Sequence, residues 1–384
     1  MSTALLETLS EQLESSELRE ITDFLAEIEQ KTAFHAGYPL NLSYDYTPLL
    51  KLLKFSVLNM GDPFVDSNYG SHSREFEKKV LAFFSELYKI PAENFWGYVT
   101  SGGTEGNLYG IYLGREVYPE GILYLSQDSH YSITKAARLF KIKHVIIPSQ
   151  PNGEMDYEYL EAMLHANRAY PAIINLNIGS TMRGAIDDLD RVLEILEQVG
   201  IQEHYIHCDA ALSGMMLPFL PGAPQINFTK KVASISVSAY KFLGCPIPCG
   251  VVLTQKEFVE KIQTDIEYIG SKDTTILGAR NGHTPILMWY ALKMKGYAGL
   301  TQETETCIMN ANYLLGRLRS AEYPCTLNPF STTVVFKKPP EIVVRKWQLA
   351  TEKDWAHIVV MQNIDKNKID LFLSDMLETC ALVD

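Results

Sequence analysis

Residues 231–250 read KVASISVSAYKFLGCPIPCG. Ile235, Val237, Phe242 and Leu243 give the stretch the pattern of a buried strand running into a tight turn, and in its middle stands one lysine, Lys241. Stripping water from an ammonium is costly unless the charge is paired or neutralised. A lysine at a strand end can keep its stem buried and its head wet. It can also lose its charge by condensing with an aldehyde. The rest of the chain has to separate these readings.

Upstream, short apolar runs alternate with helical patterns. EFEKKVLAFFSELY (75–88) reads as a helix, WGYVTSGG (96–103) as a strand end, and TEGNLYGIYLGREV (104–117) as the helix after it. GILYLS (121–126), KHVIIPS (143–149), YPAIINLNIG (170–179), YIHCDAA (205–211) and SISVSAY (234–240) read as strands. YSITKAARLF (131–140) and LDRVLEILEQVG (189–200) read as helices between them. Such alternation predicts an α/β fold with a mostly parallel central sheet and helices on both faces. After GHTPILMWYALKMKGY (282–297) come a long helix (303–320), two short strands and a last helix (368–381), the pattern of a small C-terminal α+β domain. The expected organisation is an N-terminal helical arm over residues 1–60, a large domain over 61–290 and a small domain over 291–384. In the arm, Leu6, Leu9 and Leu13, then Leu18, Ile21, Leu25 and Ile28, recur at helical spacing. That apolar face can pack on its own core or on a second subunit.

The chain has 384 residues, 46% of them hydrophobic, enough for a large core and two or three domains. A net charge of −12 disfavours a nucleic-acid partner, which needs a basic face. No eighteen apolar residues run together, so no membrane span is expected. The acidic N-terminus lacks a signal-peptide core, and the six cysteines are scattered; a cytoplasmic, reducing setting is expected. Cys245 and Cys249 flank PIP with no second pair at zinc spacing, so no metal site is expected.

Four elements fall at or just beyond strand ends, where open α/β sheets bind ligands. In TSGGTEGN (100–107), Gly102 and Gly103 permit a tight turn, and Thr104 opens a helix whose free N–H groups suit a phosphate. In DSHYS (128–132), His130 can stack on a flat ring or cap a helix. In YIHCDAALSG (205–214), Asp209 ends an apolar strand; it can cap a helix or pair with a protonated ring nitrogen, with small Ala211 leaving room for the ring. Ser238, three residues before Lys241, can reach the same phosphate. Together they describe one ligand bearing an aldehyde, a ring nitrogen and a phosphate: pyridoxal 5′-phosphate.

The segments WGYVTSGGTEGN, DSHYSITKAA, IGSTMRGAIDD, HCDAALSG, KFLGCPIPCG and GARNGHTP resemble those of the group II pyridoxal-phosphate amino-acid decarboxylases, in the branch of the bacterial histidine and plant serine decarboxylases. The resemblance runs from GYPLNLSYDY (37–46) to WQLATEKDWAHIVVM (347–361). It implies fold type I, the aspartate-aminotransferase fold, and a homodimer with active sites at the subunit interface. It places the cofactor lysine at Lys241, the ring-nitrogen aspartate at Asp209, the stacking histidine at His130, and the phosphate loop at Gly102, Gly103 and Thr104 with Ser238. Two departures stand out: SAYK, with Tyr240 where the family has a histidine, and IGST, with Ser180 where it has a threonine. By the same resemblance, DIEYIGSKDTTILGARNG (265–282) is a mobile loop that brings Tyr268 to the partner's site as proton donor. AGYPLN and DPFVDSNYGSHSREFE form the substrate mouth, which includes Tyr38, Tyr69 and His72. The implied reaction is decarboxylation of a small amino acid, serine to ethanolamine or histidine to histamine. Decarboxylation-coupled oxidation to an aldehyde, and a binding protein that has lost catalysis, are the other readings.

Overall fold

Alternate residues of the central strands divide between two apolar clusters, one on each face of a seven-stranded sheet. Ile122, Tyr124, Ile174, Leu176, Ile206, Cys208, Val251 and Leu253 join one cluster. Leu123, Leu125, Ile173, Tyr205 and Val252 join the other. This is period-two alternation with both faces covered, so apolar residues point to both sides of the sheet, while β5, β6 and β7 also bury polar residues such as Asn175, His207 and Ser236. The structure, a computed structural model, describes residues 15–381.

Its helices and strands begin with α1 (Ser15–Ala33), β1 (Leu58–Met60), α2 (Arg74–Leu87), β2 (Phe95–Thr100), α3 (Gly103–Val117), β3 (Ile122–Ser126), α4 (Tyr131–Leu139) and β4 (His144–Ile147). They continue with α5 (Tyr157–Ala166), β5 (Ala172–Asn177), α6 (Leu189–Val199), β6 (His204–Asp209), β7 (Ser234–Ser238), β8 (Gly250–Gln255), α7 (Lys256–Val259), β9 (Thr264–Ile266), β10 (Ser271–Asp273) and β11 (Ala279–Asn281). The last are α8 (His283–Ser320), β12 (Cys325–Leu327), β13 (Thr333–Lys337), α9 (Glu341–Trp347), β14 (Ala350–Glu352), β15 (Trp355–Val359) and α10 (Lys366–Ala381).

The large sheet has the order β2-β8-β7-β6-β5-β3-β4. Strands β7, β6, β5, β3 and β4 run parallel, as the alternation predicts. Strand β8 is antiparallel to both its neighbours, and the sequence reading did not assign it. The connection from β7 holds only the Lys241 turn, too short for a crossover helix, so the chain returns antiparallel. The expected strand 234–240 ends at Ser238, which leaves Tyr240 and Lys241 in that turn.

The small C-terminal domain is a four-stranded antiparallel sheet of order β12-β13-β15-β14. Phe336, Ile358, Trp347, Phe372 and Met376 pack together there with Leu314 and Leu318 of α8. Helix α8 serves both cores: its first half buries Met288 and Leu292 in the large cluster. The break between the halves lies at Gly296, with φ 59° and ψ −176°. Of the expected arm, Leu6, Leu9 and Leu13 lie outside the described residues. Ile21, Phe24, Leu25 and Ile28 sit exposed on α1. Among the described residues no helix is long and apolar enough to cross a membrane.

Candidate active site

The ends of β2, β3, β5, β6 and β7 open into one cavity of about 690 Å³. Gly103, Thr104, His130, Ser180, Asp209, Ala211, Ser238, Tyr240 and Lys241 all line it, so residues spread over more than 130 positions meet at one place.

Gly102 precedes α3 with φ 139° and ψ 176°, a conformation that favours glycine. At Gly103 a Cβ would lie 2.7 Å from Ser238 Oγ and 3.0 Å from Ala211 Cβ. The missing side chain is therefore what leaves space between the α3 N-terminus and β7. The turn is braced from within the helix. Glu105 accepts from Ser101 N–H at 2.7 Å and from Ser101 Oγ at 2.6 Å, and Tyr98 donates to it at 3.0 Å. Ser238 Oγ is buried, and among the described residues it has no hydrogen-bond partner. An orphaned hydroxyl facing a glycine at a helix N-terminus fits the phosphate of pyridoxal phosphate.

Asp209, at the end of β6, is 8% exposed. Its Oδ2 accepts from Asn107 Nδ2 at 2.7 Å and its Oδ1 from the Ala211 N–H at 3.2 Å. His130 is the N-cap of α4: its Nδ1 accepts from the Ser132 N–H at 3.3 Å and lies 2.8 Å from Ser132 Oγ. It caps the helix and also lines the cavity. Burial lowers its pKa, with Asp209 opposing and Lys241 and Lys135 adding to the fall.

The Lys241 turn is held by distant parts of the chain. Asn41 N–H donates to Lys241 O at 3.0 Å, and Asn41 Nδ2 and Gln362 Nε2 both donate to Phe242 O at 3.0 Å. Burial pulls the lysine pKa below its ordinary range, and Asp209 is the charge that opposes this. A neutral amine is what condensation with an aldehyde needs. Tyr240 lies against Gly102, where a Cβ would be 3.6 Å from its Cε1. The ring thus stands beside the glycine turn. Burial raises the phenol's pKa. Ser180 Oγ accepts from the Ala185 N–H at 3.1 Å and so closes its own turn.

Of the mouth residues, Tyr38 lines the cavity, while Tyr69 and His72 do not line it within the protomer. Nor does Tyr268: it is 84% exposed on a turn between β9 and β10, anchored beside it by Asn68 N–H donating to Ile269 O at 2.8 Å. Cys245 and Cys249 are buried thiols, and Tyr46 donates to Cys245 Sγ at 3.6 Å. The sequence reading missed Asn107, His357 and Glu352. Asn107 stood within a quoted motif, and a buried polar residue facing the helix-packed sheet was its signal. His357 on β15 stands between two cavity walls, with Nδ1 3.1 Å from Met182 O and Nε2 2.9 Å from Gly37 O, and as a neutral ring it donates to one of these carbonyls.

Comparison with known proteins bears on this geometry. Residues 71–338 match the model of the pyridoxal-dependent decarboxylase conserved domain. The chain is 49% identical over 362 residues to serine decarboxylase 2 of Oryza sativa subsp. japonica, covering 94% of this chain and 78% of that one. It is 47% identical over 363 residues to a histidine decarboxylase of Solanum lycopersicum, covering 93% and 88%. It is 44% identical over 347 residues to a histidine decarboxylase of Acinetobacter baumannii (strain ACICU), covering 90% and 91%. L-methionine decarboxylase from Streptomyces sp.590 shares the fold with a TM-score of 0.89 at 24% identity over 96% of both chains. With the family's model spanning most of the chain and a cavity whose glycine turn, carboxylate and buried lysine fit the cofactor, the chain belongs to the pyridoxal-dependent decarboxylases, as an amino-acid carboxy-lyase that works with pyridoxal 5′-phosphate.

Proposed function

We propose that this decarboxylase acts on L-serine and releases ethanolamine. The observation that carries the reading is the lining of the cavity. Lys241 is the only lysine or arginine on it among the described residues, and Asp128 and Glu352 stand at its edge. An acidic side chain would find no lysine or arginine on the lining besides Lys241 and would meet Glu352 and Asp128, the latter paired with Arg183 at 3.9 Å. Tyr38, Thr181 and Gln127 supply hydroxyl and amide groups suited to a small polar side chain. The identity to plant serine decarboxylases also supports it. Histidine is the second reading, because the two carboxylates suit an imidazole N–H and the volume admits a ring.

Bound pyridoxal phosphate supplies an electron sink for the bond to the departing carboxylate. In the proposed arrangement Lys241 Nζ would be the amine that holds the cofactor through its aldehyde. Asp209 keeps the ring nitrogen protonated; a carboxylate at contact distance in a partly buried site interacts by several kcal/mol. His130 covers the ring face. The Gly102–Thr104 turn and Ser238 hold the phosphate. Tyr69 and His72 belong to the substrate mouth, and Tyr268 would serve the site of a second subunit as proton donor. What supports a homodimer is the row of exposed apolar side chains at Ile21, Phe24, Leu50, Leu53, Phe55, Ile276 and Leu277.

The test is an amino-acid panel in which carbon dioxide, amine, ammonia and peroxide are measured together, beside light scattering. Ethanolamine as main product at the highest kcat/KM is expected. Histamine in its place moves the assignment to the second reading; stoichiometric ammonia and peroxide move it to oxidative chemistry. A fully active monomer would overturn the shared site.

A further inference from the structure

Behind the cavity wall, buried hydrogen bonds join Asp209 to His130, and Asn107 of α3 is their centre. Its Nδ2 donates to Asp209 Oδ2 at 2.7 Å and to Ser132 Oγ at 2.9 Å. Its Oδ1 lies 3.0 Å from His207 Nε2, and His207 Nδ1 lies 2.8 Å from Ser234 Oγ. Ser132 Oγ lies 2.8 Å from His130 Nδ1. Asn107 is 1% exposed, and Ser132, His207 and Ser234 are fully buried. A Cβ at Gly110, one turn along α3, would collide with the His207 ring, so the helix leaves room for that imidazole.

Counting donors and acceptors sets the direction of every bond. An amide nitrogen has two hydrogens, and both are engaged. A flipped amide would put its oxygen against the Asp209 carboxylate, acceptor on acceptor. With the oxygen towards His207, Nε2 of that ring must carry its proton and Nδ1 must accept from the Ser234 hydroxyl. Burial holds His207 neutral, its pKa pushed down to about 4. The Ser132 N–H donates to His130 Nδ1, so that nitrogen carries no proton and takes the one hydrogen of Ser132 Oγ, which itself accepts from Asn107. The proton of His130 is left on Nε2.

We propose that Asn107 is a positioning residue that sets the tautomer of His130 and the aim of the Asp209 carboxylate, with His207 as the key that keeps its amide from turning. The inference rests on the roles assigned above to Asp209 and His130. One amide thereby couples the group that holds the ring nitrogen to the group that covers the ring face. His130 is a neutral ring with its Nε2–H as donor, because protonating Nδ1 would break two hydrogen bonds. Asp209, Lys241 and Lys135 are the charged groups that act on it, and the Tyr131 ring packs beside it with centroids 4.0 Å apart.

The experiment labels the full chain with ¹⁵N-histidine and records long-range ¹H–¹⁵N spectra with and without pyridoxal phosphate, His130 being assigned from His130→Gln. The wild type should show His130 as the Nε2–H tautomer in both states. Ser132→Ala removes one bond that exists only to the neutral ring, so the His130 pKa should rise by roughly 0.5–1 unit. Cofactor affinity should stay within about threefold, because the Asn107–Asp209 bond is intact. Asn107→Asp places a carboxylate where two donors stood; cofactor affinity should fall by about 10–100-fold and His130 should populate both tautomers. If Asn107→Asp does not fold, as read by its melting curve, His207→Asn, which is too short to reach Asn107, takes its place with the same expectations. An Nδ1–H tautomer in the wild type, or wild-type titration of His130 in Ser132→Ala, would overturn the proposal. Full turnover of His130→Gln would instead remove the role of His130 and leave the tautomer result standing.

Discussion

Replacing Gly103 by alanine puts a methyl carbon 2.7 Å from Ser238 Oγ and 3.0 Å from Ala211 Cβ. In the cofactor-free protein the Ser238 hydroxyl can rotate away, while the Ala211 Cβ cannot and leaves part of the strain in place. With the cofactor bound, the methyl and the phosphate compete for one space. Overpacking of a tight site costs about 1–3 kcal/mol. Turning the Ser238 hydroxyl aside forfeits a hydrogen bond to a charged group, about 1.5–3 kcal/mol. The sum, roughly 2.5–6 kcal/mol, corresponds to at least about a 50-fold weaker cofactor affinity at 1.4 kcal/mol per tenfold. Ser238→Ala loses the second contribution alone, a loss of about 10–150-fold. Because both changes act on one hydroxyl, the double variant should fall short of the product of the singles. Cofactor titration by absorbance, with melting of the cofactor-free protein as control, reads all three variants. Binding of Gly103→Ala within twofold of wild type, or strict additivity, would refute the cradle.

Lys241→Ala should keep the fold and part of the cofactor affinity while turnover falls by orders of magnitude, with loss of the visible absorbance band; near-wild-type turnover ends the assignment of this lysine. Tyr240→His places an imidazole, able to exchange protons at neutral pH, beside the glycine turn in place of a phenol raised by burial. Amine release should quicken and any aldehyde or ammonia should fall; an unchanged product ratio with and without oxygen leaves Tyr240 without a mechanistic part. His207 has a folded pKa of about 4 against 6.5 when unfolded. The unfolded chain therefore binds the extra proton, so this stability is present above pH 6.5 and is lost as pH falls towards 4, by at most about 1.4 kcal/mol per unit. Denaturant titrations between pH 4.5 and 7 should show this slope reduced in His207→Gln, and identical slopes would show that the histidine does not titrate on unfolding.

The large sheet was legible because its strands are short apolar runs between helical patterns, and the site because each of its groups stands at a strand end beside small residues. Lys241, Asp209 and His130 could each be weighed alone and gained force together. Strand β8 escaped notice because a run such as GVVLTQ carries no sign of direction; the short turn before it sets that. The contributions of His357 and Gln362 could not be read at all. Their partners, Gly37 and Phe242, lie 320 and 120 residues away, and no local pattern marks such a pair. Tyr69, His72 and Tyr268 were placed at the site by resemblance, and one protomer does not bring them there.

The bonds from Asn363 to Leu42 and from His357 to Gly37 close loops of 321 and 320 residues. A ribosome works from the first residue to the last. A nascent chain that has exposed Lys241, Asp209 and the glycine turn still lacks Gln362, which holds the lysine turn, and β15, which forms a wall of the cavity. Cofactor capture therefore waits for the segment from β15 to Gln362. A chain halted before residue 355 would expose a reactive amine in an open half-site, and quality control could tell it from the complete protein by its failure to retain the cofactor.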